Sequence, residues 1–141
     1  MMSGDSNSMS VTIRCNGDGA VHALVDGVQT FCLDTGLKPG HAARLLIVVE
    51  ELVTNLVEHG GIGAGGTIEL AVRQEEAAIL ITLGDDGPPF DPRGSVAGEA
   101  VPDRGGGAGI ELVRAWAEML GYVSAEGWNR LELRMALHRD V

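Results

Sequence analysis

The chain has 141 residues, with 20 acidic against 10 basic ones and a formal net charge of −10. That length fits one domain with a real core, and an apolar fraction of 45% fits a folded chain rather than a disordered one. The charge excludes an extended nucleic-acid surface, which needs a clustered basic footprint, but not a phosphate ligand, which backbone N–H groups and a divalent cation can hold.

Residues 1–10 read as a flexible, Ser-rich leader without the basic-then-apolar layout of a signal peptide, and 11–141 as a single domain. Residues 11–15 alternate apolar and polar, as a short strand should. After a turn at 16–19, residues 20–33 place Val21, Leu24, Val25, Val28, Phe31 and Cys32 on one helical side, and Gly36 stops that helix. Pro39 suits a first helical turn, and the helix it opens runs to His59. The glycines of 60–66 then form a flexible link. Residues 67–73 and 78–84 alternate again and make a hairpin across a short polar turn.

The string Asp85-Asp86-Gly87-Pro88-Pro89-Phe90-Asp91-Pro92 holds too much proline to continue a ladder. Residues 93–106 show no hydrophobic period and read as a mobile surface loop. Glycines 105–107 and 109 open a third helix, 110–120, with Glu111, Arg114 and Glu118 opposite Val113, Trp116, Ala117 and Leu120, and with Gly121 as its stop. Residues 122–126 and 128–137 form a last hairpin turning at Gly127. This order predicts an α+β two-layer sandwich, three helices on a mixed, mainly antiparallel sheet. No run reaches the ~18 consecutive apolar residues of a membrane span, so a cytoplasmic protein with no membrane contact is expected. Cys15 and Cys32 stand alone and read as buried or idle thiols in a reducing compartment.

Three short patterns carry chemistry. In the second helix Leu45, Val49, Leu52 and Leu56 share an apolar stripe, and Glu51 and Asn55, four apart, stack at its margin with His59 continuing the row. Glu50 points about 100° away. The pair is either a solvated helix edge or an amide ligand for Mg2+ beside a carboxylate able to take a hydroxyl proton. Asp85-x-Gly87, closing a strand, is either an acidic turn or an acceptor for an exocyclic amine with backbone left open by Gly87. Gly107-x-Gly109 at a helix start offers bare N–H groups to phosphate, but it follows no strand and lacks the Lys-Ser/Thr of a P-loop.

Taken in order, Glu51-x-x-x-Asn55, Asp85-x-Gly87 and Gly107-x-Gly109 resemble the GHKL (Bergerat-fold) ATPase superfamily of gyrase, Hsp90, histidine kinases and MutL. Glu50-Glu51-Leu52-Val53-Thr54-Asn55 with His59-Gly60 looks like the N box, and residues 85–92 look like the first glycine box, of its small anti-sigma factor serine/threonine kinase branch. The resemblance covers nearly the whole chain from about Val11. It implies ATP and Mg2+ as cofactors, with Asn55 as metal ligand, Asp85 as adenine contact, and Gly87, Gly107 and Gly109 lining the nucleotide pocket. Glu51 is implied as the catalytic base; helix geometry independently favours it over Glu50, because only Glu51 shares the face of Asn55. His59 is read as a cation favoured by the helix C-terminus, with a supporting contact to Glu51 as the alternative. Any γ-phosphate contact falls to Arg93, Arg104 or a partner, since the 93–106 loop has no lysine. The implied partners are an antagonist protein of the anti-anti-sigma (STAS) type, phosphorylated on serine or threonine, and a sigma factor; a homodimer is implied by analogy. Two alternatives stay open: a nucleotide-gated binding module without phosphoryl transfer, and a detached histidine kinase ATPase domain.

Overall fold

The computed structural model describes residues 9–92 and 106–137, with only the backbone of 106–109. The elements run β1 (Ser10–Asn16), α1 (Ala20–Thr35), α2 (Pro39–His59), β2 (Thr67–Glu75), β3 (Ala78–Asp85), α3 (Gly106–Trp116), β4 (Glu118–Ala125) and β5 (Trp128–Ala136). The five strands form one sheet in the order β1-β2-β3-β5-β4, and each of these pairings is antiparallel, so the sheet is not mixed. Two-residue links allow this at β2–β3 and β4–β5, where a parallel pairing would need a long crossover.

One face of the sheet is dry. Along β5, Asn129, Leu131, Leu133 and Met135 are buried while Arg130, Glu132 and Arg134 are exposed, the alternation of a sheet covered on one side. The helices supply the cover: Leu24, Val28 and Phe31 of α1, Leu45, Val48, Val49, Leu52, Val53 and Leu56 of α2, and Val113 of α3 join one core with the inward strand residues. This is the expected two-layer α+β sandwich. Packing rather than capping holds α1, whose N-cap Gly19 makes no side-chain hydrogen bond. A glycine cap costs only about a few tenths of a kcal/mol against a hydrogen-bonding one, whereas burying each large apolar side chain contributes about 2 kcal/mol.

Several boundaries fall where the pattern puts them. Gly36 ends α1 at φ 67°, its N–H reaching Cys32 O and Leu33 O. Pro39 starts α2 after an extended Lys38, and α2 ends at His59. The link at 60–66 is tied down instead of flexible: Gly17 N donates to Gly66 O at 2.9 Å and Asp18 N to Ala64 O at 3.1 Å. Asn16 Nδ2 lies 3.4 Å from Gly65 O and 3.3 Å from Gly66 O. The 93–106 loop, apart from Gly106 at the start of α3, lies outside the described residues, as do Arg93 and Arg104.

The third helix is shorter than its period. α3 stops at Trp116, and Glu118 already pairs with Arg134 as the start of β4. Val113 and Ala117 are buried as expected, but Leu120 is 48% exposed. Residues 117–121 satisfy a helical spacing, yet the open edge of β5 offers them a ladder of hydrogen bonds. Gly121 therefore stops no helix; it belongs to β4.

Candidate functional site

Asp85 is the last residue of β3 and continues its inward row after Ile81 and Leu83, so the fold carries a carboxylate to the rim of the core at 5% exposure. A buried carboxylate needs hydrogen bonds. Oδ2 accepts one from Gly87 N at 2.9 Å and one from Asn129 Nδ2 at 3.1 Å. Asn129 is the directly opposed residue on β5 and is itself 2% exposed. Burial pushes the Asp85 carboxyl up from its ordinary range, these two bonds partly hold it down, and the charge of Asp86 pushes it further up. No hydrogen bond from the described residues reaches Oδ1. Because no buried side-chain oxygen or nitrogen among the described residues lacks a partner, Oδ1 is not sealed in the core, and Asp85 lines the adjoining cavity.

That cavity lies between α2 and the sheet. Asn55 and Leu52 line it from α2, Asp85 from β3, Tyr122 from β4, and Phe90 and Pro92 from the segment after β3. It encloses about 20 Å³. That is room for about one water. Phe90, one of the lining residues, donates its N–H to Tyr122 Oη at 2.8 Å. Burial pushes the Tyr122 phenol above its ordinary range, with the Phe90 bond opposing and the nearby Asp85 and Asp91 charges adding to the rise.

Tyr122 reaches this place through a bulge. In β4 Met119 opposes Leu133, but Gly121 opposes Glu132, leaving Leu120 as the extra residue. Strict alternation from Met119 would turn Tyr122 to the open face of the sheet. The bulge resets the phase, and Tyr122 opposes the inward Leu131.

The residues singled out in α2 divide cleanly. Asn55 lines the same cavity as Asp85; Glu51, half-buried one turn earlier, does not. Glu50 is exposed on the other flank, where it borders a groove against the first turn of α1 at Ala20 and Val21. His59 is exposed in the last turn. Gly87 sits where a Cβ would lie 3.2 Å from Asp85 Oδ2 and 3.3 Å from Ile62, so glycine keeps this stretch of backbone close to the carboxylate. Gly107 and Gly109 fall in the first turn of α3. Among the described residues no group of three or more His, Cys, Asp or Glu side chains converges as a metal cluster. None of the described helices is long and apolar enough to cross a membrane.

Motif spacing does not single out Asn129, Ser124 or Tyr122. For Asn129 a signal exists: in a strand whose inward positions are otherwise Leu131, Leu133 and Met135, it is the one polar residue on the dry face. Tyr122 carries no comparable signal, since its face depends on the bulge.

A model of the histidine kinase-like ATPase domain matches residues 17–136 of this chain. In sequence the chain is similar to a serine/threonine-protein kinase, BtrW of Bordetella bronchiseptica, at 29% identity over 94 residues. That alignment covers 63% of this chain and 66% of the relative, just under two thirds of its length. In structure the chain is similar to the nucleotide-free catalytic domain of the histidine kinase ThkA, with a TM-score of 0.52 at 12% identity, over 90% of this chain and 97% of that one. A weaker likeness, TM-score 0.49 at 21% identity, joins 68% of this chain to 44% of the histidine kinase domain of the blue-light activated kinase of Erythrobacter litoralis EL346. At 12% identity the likeness to the ThkA domain speaks for the fold alone.

Proposed function

The chain belongs to the histidine kinase-like ATPase domain family, and from that premise we propose that it is an ATP-binding serine/threonine protein kinase of the anti-sigma factor type. The observation that carries the reading is the single cavity that brings the open Oδ1 of Asp85 opposite Asn55. An ionised carboxylate oxygen accepts the exocyclic amine of adenine. Gly87 keeps backbone close to the base, and Gly107 and Gly109 open the helix whose bare N–H groups face phosphate. The Asn55 amide oxygen would be the protein ligand of a Mg2+ ion brought with the nucleotide, a hard oxygen donor of the kind that ion takes. Such an ion neutralises charge on the transferring phosphoryl group.

Glu51, one turn from Asn55 on the same row, takes the proton of the substrate serine hydroxyl. The hydroxyl oxygen then bonds to the γ-phosphorus as the bond to ADP breaks. The substrate is a small antagonist protein of the anti-anti-sigma type, and a sigma factor is the second partner; the relative named as a serine/threonine kinase supports this branch. The compartment is the cytoplasm.

Glu51 stands outside the cavity lining, and that observation favours one second reading, a nucleotide-gated binding module without transfer. Radiolabelled ATP with a purified antagonist domain separates them. Transfer that drops to background in Glu51→Ala, with ATP binding retained, supports the kinase. No transfer from the wild type to any antagonist leaves the module. Label that is stable to acid distinguishes phosphoserine from the phosphohistidine of a histidine kinase domain.

A further inference from the structure

We propose that Asn129, locked by Ser124, is a positioning residue that divides the two oxygens of Asp85, assigning Oδ2 to the protein and leaving Oδ1 as a lone acceptor that selects 6-amino over 6-oxo purines. The proposal rests on the nucleotide-binding function proposed for this cavity and deepens it. The side-chain amide of Asn129 meets three acceptors on one side: Asp85 Oδ2 at 3.1 Å, Gly87 O at 2.9 Å and, more distantly, Pro88 O at 3.5 Å. Only the NH2 end of the amide is compatible with that side, because an amide oxygen there would face oxygens alone. On the other side the Ser124 hydroxyl donates to Asn129 Oδ1 at 2.6 Å, a contact that accompanies the orientation those three acceptors set and holds the oxygen end in place.

Both amide hydrogens are thereby committed, one to Asp85 and one to the backbone after β3. The carboxylate is held at one oxygen from two directions, by Gly87 N and by Asn129 Nδ2. It cannot rotate to offer a second acceptor without breaking both bonds. The surviving acceptor matches an exocyclic amine and repels the oxygen that a 6-oxo purine carries at the same position. Discrimination by a buried group that is left unpaired or opposed is the strong form of specificity. Ser124 is exposed, so its contribution to the site runs through this one contact and not through packing.

The test compares ATP with ITP, which differs from ATP in carrying an oxygen in place of the 6-amine, by titration calorimetry on the full chain. Thermal melting of each variant checks the fold. Wild type is expected to prefer ATP. In Asn129→Val the ATP-to-ITP affinity ratio is expected to fall by about ten- to a hundredfold, the range set by one hydrogen bond to a charged group. The pH below which ATP affinity declines is expected to move upward, since a bond that favours the ionised carboxyl is gone while burial and the charge of Asp86 remain. Ser124→Ala, which leaves the core intact, is expected to lower the same ratio by a smaller factor, and it decides the matter if Asn129→Val does not fold. A folded Asn129→Val, or failing that Ser124→Ala, with the wild-type ratio overturns the proposal while leaving nucleotide binding in place. A wild type that binds neither nucleotide overturns the nucleotide-binding function and the proposal with it.

Discussion

In the proposed nucleotide site, the role given to Asp85 works against the fold. Its carboxyl titrates above the ordinary range because burial penalises the charge more than Gly87 and Asn129 repay it. A raised folded value means that its contribution to stability is present below the unfolded carboxyl's titration range and is lost as pH rises through the folded one. Above that range the ionised group therefore opposes folding. Asp85→Asn is expected to melt at the same temperature as wild type or higher, and to lose the preference for adenine over guanine nucleotides. A clear drop in melting temperature without loss of selectivity would refute this role for Asp85. Ligand binding carries the opposite sign, because the ionised oxygen is the acceptor. ATP affinity should fall on acidification, in a window that opens above the ordinary carboxylate range, and calorimetry across pH would reveal it. Asn55 has no such conflict: it is a half-buried amide, and Asn55→Ala is expected to abolish Mg·ATP binding with little change in melting temperature. Unchanged affinity in that variant removes Asn55 from the site.

At the scale of elements, the site is assembled by strand phase. β3 ends where its inward row meets the rim of the core, β5 presents Asn129 opposite that end, and the bulge in β4 turns Tyr122 inward. The hydroxyl of Tyr122 then holds the proline-rich segment after β3 through Phe90 N. Tyr122→Phe should remove that bond, at a cost of about 1 kcal/mol. Faster amide exchange at Phe90, relative to neighbours within β3, is the readout; unaltered exchange there would show that packing alone holds the segment. The β4–β5 turn needs positive φ at both central positions, Glu126 at 55° and Gly127 at 79°. Gly127→Ala is expected to destabilise by about 1 kcal/mol and to lower the melting temperature by a few degrees.

For the whole molecule, the proposed nucleotide binding would be linked to folding. A ligand bound only by the folded state at about a hundred times its Kd adds about 2.7 kcal/mol. Mg·ATP should therefore raise the melting temperature of the wild type and leave that of Asn55→Ala where it was. Element order, the span of α2 and the α+β class are legible in the chain because hydrophobic period, Pro39 and Gly36 are local signals. The patterns around Glu51, Asn55, Asp85, Gly87, Gly107 and Gly109 are legible too, since each lies within a few residues. Tertiary structure decided the rest. It ended α3 at Trp116 because the edge of β5 pairs with the chain from Glu118 onward, and it tied the 60–66 link to the turn after β1. It also brought Asn55 and Asp85, thirty positions apart, to one cavity and set Asn129 behind the carboxylate. Local sequence determines what each segment prefers; which side chains face one another depends on strand register and a one-residue bulge, and those are settled only when the sheet closes against its helices.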